Sequence, residues 1–261
     1  MQFMDIKQLT FSYNPKIPFL AIDQLMIPKG KVTAIIGPNG SGKSTLLHLL
    51  AGLLKPTSGA LLLDEQPLYT YTAKERAKKL AVVHQQNDVP MNYTVRKLVE
   101  MGRYPHRKGM MRFTTEDDRI VDDALRVTDL IDQQHQFMHQ LSGGQRQRVW
   151  IALALAQQSE YILLDEPTTY LDMHHQFEIL HVIEKMNRME NRTIVMVLHD
   201  LNQALQFSDE VIVMQGGKVV AKGNTEEILT ETLIQRIFRI HVKSIQDSNC
   251  EKHFIHLKKK V

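Results

Sequence analysis

Cysteine is almost missing: Cys250 is the single one among 261 residues. No disulfide can close within the chain, and the usage suits a reducing compartment. An excess of charge is missing too. Lys and Arg number 32 against 29 Asp and Glu, a formal net charge of +3, too balanced for a dedicated nucleic-acid binder. Long apolar runs are also lacking. A membrane-spanning helix needs about 20 apolar residues, and the longest candidate, Val149 to Ala156, falls far short. The opening Met1-Gln2-Phe3-Met4-Asp5 lacks the charged-then-apolar layout of a signal peptide. The expectation is a soluble chain, so in any membrane process another chain must supply the pore. Internal repeats and low-complexity stretches are absent. At about 100–200 residues per domain, the length suits one large domain or two modest ones.

What is present alternates short β-rich runs with longer helical stretches, which argues an α/β fold. Ile6 to Tyr13 and Phe19 to Ile27 read as strands around the turn residues Asn14-Pro15. Lys31 to Ile36 is an apolar strand running into a glycine-rich turn, and Ser44 to Leu54 a leucine-rich helix apolar on nearly every face. Strands follow at Ala60 to Leu63 and Leu80 to Val83. From Asn87 to Gln140 the character turns helical, with Val95 to Met101 and Asp117 to Leu130 the helices. Arg103 to Arg112 between them is basic and turn-rich. Alternation then resumes: a helix from Gly143, a strand at Tyr161 to Leu164, a helix from Met173 and a strand at Thr193 to Val197. Strands Val211 to Met214 and Lys218 to Ala221 meet at Gln215-Gly216-Gly217 as a hairpin. Thr230 to Val261 is weakly patterned.

Three segments carry chemistry. Gly37-Pro38-Asn39-Gly40-Ser41-Gly42-Lys43-Ser44, between a strand and a helix, fits a phosphate loop. Its glycines let successive backbone N–H groups turn inward around phosphate oxygens, and the helix aims its positive end at them. Lys43 reaches the outer phosphates, and the Ser44 hydroxyl is a Mg²⁺ ligand in this pattern. Tyr161 to Leu164 ends in Asp165-Glu166, an acidic pair at a strand exit. Asp165 is expected to hold Mg²⁺ and Glu166 to polarise the attacking water. Leu141-Ser142-Gly143-Gly144-Gln145 combines a capping box with two glycines, a second helix start with exposed N–H groups. A nucleotide needs one cradle, so the second is expected to serve a nucleotide held by another copy of the chain.

In this order and spacing these segments resemble the ATP-binding cassette (ABC) ATPases, over essentially the whole chain to about Leu229. The resemblance implies a P-loop NTPase core with an N-terminal antiparallel β-subdomain and an inserted α-helical subdomain. It implies an ATPase domain at 1–229, with the helical insert at about 87–140, and a C-terminal extension at 230–261 packed on the core. It also assigns roles. Tyr13 stacks on adenine; Gly37 to Thr45 cradle the phosphates of ATP; Gln85, with Gln86 as a one-residue rival, senses Mg²⁺ and water. Ser142, Gly143, Gly144 and Gln145 face the partner's ATP, Asp172 ends the loop Thr169-Tyr170-Leu171-Asp172 that communicates between paired sites, and His199 contacts the γ-phosphate. Catalytic roles fall to Glu166, His199, Gln85 and Lys43, and Mg²⁺ to Ser44, Gln85 and Asp165.

Finer features are similar to importer ATPases for iron–siderophore, haem and vitamin B12 uptake: Gly102-Arg103-Tyr104-Pro105, Thr169-Tyr170 before Asp172, and Asp200-Leu201-Asn202-Gln203-Ala204. The implied partners are a second copy, separate membrane permeases at the cytoplasmic face of the membrane and, indirectly, an extracytoplasmic binding protein, with no nucleic acid. Haem, cobalamin or a metal ion stay open as cargo. A soluble cassette acting on ribosomes or DNA needs two cassettes or a long coiled coil, and a phosphate-loop kinase has no use for Leu141 to Gln145. The adjacent His174 and His175 point to different faces of one helix, and His253 with His256 lacks a third ligand apart from Cys250, so neither pair reads as a metal site.

Overall fold

The computed structural model describes residues 3–85, 92–107, 113–246 and 252–257. Gln86, Cys250, Lys258 to Lys260, the start of the predicted insert at 87–91 and the end of the basic stretch at 108–112 lie outside them. The chain divides into two compact units: Met1–Leu68 with Val195–Val261, and Tyr69–Ile194.

In chain order the first unit opens with β1 (Phe3–Phe11), β2 (Leu20–Pro28), β3 (Val32–Ile36), α1 (Lys43–Leu50), β4 (Ser58–Leu63) and β5 (Gln66–Pro67). The second holds α2 (Ala73–Lys79), β6 (Leu80–Val83), α3 (Val95–Glu100), α4 (Thr115–Val127), α5 (Gly143–Ala156), β7 (Tyr161–Leu164) and α6 (Met173–Glu190). The division falls inside β8 (Thr193–Val197). The first unit resumes with α7 (Leu201–Phe207), β9 (Glu210–Gln215), β10 (Lys218–Asn224), α8 (Thr225–Ile228), α9 (Glu231–Phe238), β11 (Val242–Gln246) and β12 (Lys252–His256).

In the first unit β2-β1-β4-β5 form an antiparallel sheet. β3, five β-branched or small residues all buried, runs parallel to β9, as expected of a strand covered on both faces. Gly216 and Gly217, with φ of 55° and 74°, turn β9 into β10 as a type I′ hairpin. In the second unit β6 and β7 pair in parallel, and α3, α4 and α5 pack together. Thr114 with Asp117 and Ser142 with Gln145 close capping boxes at the starts of α4 and α5. The α/β class and the antiparallel N-terminal sheet are as expected from the sequence.

One expectation needs correction. The helix predicted to Leu54 ends at Leu50, because Gly52 at φ 68° opens a Schellman turn: Leu53 N–H donates to His48 O and Gly52 N–H to Leu49 O. Leu53 is consequently exposed. The weakly patterned stretch after Thr230 takes defined elements. Leu233, Ile234 and Ile237 bury one face of α9, and β11 and β12 form a two-stranded antiparallel sheet.

Candidate nucleotide-binding site

In the first unit the turn from β3 to α1 is shaped by glycines that no other residue replaces cheaply. Gly37, Gly40 and Gly42 have φ of 154°, 76° and 101°, and a Cβ on Gly37 would meet Met214 O at 2.2 Å. Ser41 N–H donates to Pro38 O at 3.2 Å, tightening the turn. Lys43 is buried and reaches back into the loop, its Nζ donating to Gly37 O at 2.9 Å and Pro38 O at 3.2 Å. Ser41 Oγ is buried with no hydrogen-bond partner. An orphaned hydroxyl costs free energy unless something satisfies it, and a helix start beside a lysine is a setting that suits an anion.

Tyr13 is 63% exposed yet fixed. Its ring stands edge-on to Phe11 and Phe19 at 4.8 Å and 5.2 Å, and its hydroxyl shares a 3.0 Å hydrogen bond with Thr45 Oγ1. An exposed ring held from both sides is a stacking platform. His199 follows β8, where Leu198 N–H donates to Ile35 O. With Gly37, Pro38, Asn39, Gln215 and Arg239 it lines a cavity of about 510 Å³. The first unit thus gathers Tyr13, Gly37 to Thr45 and His199.

In the second unit Asp165 N–H donates to Val83 O, aligning the exits of β6 and β7, and the Asp165 side chain is buried. Glu166 sits in the left-handed region at φ 51°, a strained placement for a side chain with a Cβ. Its Oε2 accepts from Gln85 Nε2 at 2.6 Å and from Thr169 Oγ1 at 3.0 Å. Gln85 and Glu166, 81 positions apart, therefore meet. Ser142 Oγ accepts from Gln145 N–H, and Gln145 Oε1 from Ser142 N–H. At this start of α5, Ser142 and Gly143 are exposed and Gly144 is buried. Asp172 caps α6, accepting from His175 N–H and Nδ1, and those donors hold its carboxyl below the usual range.

Two residues escaped the sequence reading as individuals. Arg103, at the start of the basic, turn-rich stretch, is buried: it donates to Asp117 Oδ1 at 2.8 Å, to Ala156 O and to Gln158 Oε1. Asn202 exchanges two hydrogen bonds with the Phe254 backbone, at 2.8 Å and 3.1 Å, pinning β12 to α7. Asn202 lies in the Asp200 to Ala204 run already quoted for its subfamily likeness, so a signal existed there. Its partner, 52 residues on, was not readable.

A strained glycine loop, an orphaned buried hydroxyl, an exposed tyrosine platform and a propped carboxylate define a phosphate-loop nucleotide-binding protein. The ABC transporter family matches residues 21–169, and the chain belongs to that family. It is 45% identical over 246 residues to the petrobactin import ATP-binding protein FpuD of Bacillus anthracis, covering 94% of this chain and 89% of that one. A putative metal-chelate type ABC transporter captured facing inward superposes with a TM-score of 0.85 at 28% identity, over 99% of both chains. The dimeric structure of a bacterial ABC transporter cassette superposes with a TM-score of 0.75 at 31% identity, over 85% of this chain and 98% of that one. Among the described residues no helix is long and apolar enough to cross a membrane.

Proposed function

We propose that the chain is the ATP-hydrolysing subunit of a membrane importer for iron–siderophore-type chelates, working at the cytoplasmic face as a head-to-tail pair. One observation carries the reading: a phosphate loop is accompanied in the same chain by a second capped helix start at Ser142 to Gln145, with Ser142 and Gly143 exposed. Each ATP is held by Gly37 to Thr45 of one copy, with adenine on Tyr13, and completed by Ser142 to Gln145 of the other. The dimeric cassette among the structural neighbours supports the pairing. The petrobactin and metal-chelate relatives support the cargo class. Separate permeases carry the chelate, and an extracytoplasmic binding protein delivers it.

The donors suit Mg²⁺, a hard cation that takes oxygen ligands. Ser44, Asp165 and Gln85 would hold it; Gln85 spends its Nε2 on Glu166 and keeps its carbonyl oxygen without a partner among the described residues. When bound, Mg²⁺ offsets charge on the outer phosphates. Glu166 polarises the attacking water, held for that task by Gln85 and Thr169. His199 contacts the γ-phosphate, and Asp172 ends the loop that links the paired sites. Binding closes the pair because ATP contacts both faces, and loss of phosphate removes that attraction.

Glu166→Gln tests the reading. The variant binds ATP, accumulates a dimer on gel filtration and loses turnover by about 10²–10⁴-fold. Phosphate release at the wild-type rate refutes the role of Glu166, and a monomer at saturating ATP refutes the pairing. In vesicles carrying the cognate permeases, ferric chelate on its binding protein stimulates turnover. Stimulation by haem or cobalamin instead overturns the cargo.

A further inference from the structure

We propose that His175 is a positioning residue: its imidazole ties the loop ending at Asp172 to the start of α5, so that both segments meet the second copy as one piece. The inference rests on the head-to-tail pairing above and adds the part that holds that face in shape.

The contacts form a chain through one ring. Asp172 Oδ1 accepts from His175 N–H at 3.0 Å and from His175 Nδ1 at 2.8 Å, so one carboxylate oxygen both caps α6 and aims the imidazole. The Cγ–Cδ2 edge of the ring lies against Gly144. A Cβ placed there would meet Cδ2 of His175 at 2.5 Å, Cγ at 2.9 Å and Cβ at 3.1 Å. At the second glycine of the Ser142 to Gln145 segment the imidazole thus stands where a Cβ would be. Gly143 faces the same segment, with Leu171 Cδ2 3.9 Å from where its Cβ would be.

The loop is itself stiff. Gln176 Nε2 donates to Leu171 O at 2.9 Å, Thr169 Oγ1 donates to Glu166, and Tyr170 is held at φ 64°, a conformation that persists only where its surroundings over-determine it. A shift of Asp172 is passed through a hydrogen-bonded ring to a backbone with no spare space. Close-packed elements transmit such a shift rather than absorb it.

The test uses the full chain in the Glu166→Gln background, reading the ATP concentration at half-dimerisation by analytical ultracentrifugation and nucleotide affinity of the monomer by fluorescent-ATP titration. His175→Ala raises the half-dimerisation concentration about tenfold or more, the change expected for losing one charge-assisted hydrogen bond. Monomer affinity stays within about twofold. His175→Asn, whose amide can still donate to Asp172, recovers part of the loss, which a purely volume-filling role does not allow. Gly144→Ala is also defective, and because the added methyl collides with the ring, Gly144→Ala/His175→Ala shifts less than the product of the single shifts. An unshifted His175→Ala, a multiplicative double variant, or Asn no better than Ala overturns the inference while the pairing stands. No dimer at any ATP concentration in the parent overturns the pairing and this inference together.

Discussion

Replacing Arg103 by Met probes how the helical part of the second unit is held. The guanidinium is almost fully buried and makes three hydrogen bonds of 2.8–2.9 Å: to Asp117 Oδ1, to Ala156 O at the end of α5, and to Gln158 Oε1. Removing one partner of a buried ion pair costs about 3–5 kcal/mol, because the other charge is left uncompensated. Asp117 keeps donors at its second oxygen, Thr114 Oγ1 at 2.7 Å and Thr114 N–H at 3.1 Å, and Met refills much of the volume. Both effects pull the cost toward the lower end, about 3 kcal/mol. At about 2–4 °C per kcal/mol for a chain of this size, the transition of this unit falls by about 6–12 °C by calorimetry. Burial alone pushes the Asp117 carboxyl upward, but the donors from Arg103 and Thr114 outweigh it and leave it below the usual range. A lowered carboxyl contributes stability above its unfolded value, near 4, and loses it as pH falls through the folded value. The gap between wild type and variant therefore narrows in acid. Arg103→Met/Asp117→Asn is less damaged than Arg103→Met, since no charge is stranded. A loss under about 1 kcal/mol for Arg103→Met, or a double variant worse than the single, refutes the reasoning.

Two further outcomes follow from contacts between distant segments. Asn202→Ala removes both bonds to Phe254, a loss of about 1–3 kcal/mol that is read as faster hydrogen exchange across Lys252 to Leu257, with little change in β3 or β9. His106 is lowered below its ordinary value, chiefly by burial and then by the nearby Arg103, although its ring N–H donates to Gln157 O. The neutral form is favoured on folding, so its contribution is full above the unfolded value near 6.5 and shrinks as pH falls below it. Wild type consequently loses more urea resistance between pH 7.5 and 5.5 than His106→Gln; equal slopes refute the assignment.

Local chemistry was readable because it depends on near neighbours. The glycines of residues 37–42 announce a loop with positive φ. Ser142 and Gln145 are three residues apart on a helix that must cap itself, and the five residues of β3 are β-branched or small because both faces are covered. The C-terminal stretch reads as weakly patterned because its elements are only five to eight residues long. Their support comes from distant partners such as Asn202, which periodicity within a window does not register.

By itself the sequence determined that residues 37–44 form a glycine-rich turn between a strand and a helix, since a phosphate-loop pattern is a short-range arrangement of backbone N–H groups, one lysine and one hydroxyl. It also determined the α/β class, through the switching of apolar period. Only tertiary structure decided that Gln85 and Thr169 prop Glu166, that Arg103 turns inward, and that an imidazole stands where a Cβ on Gly144 would be. Each is a contact closed through space, and a chain written in one dimension does not state which distant atoms will touch.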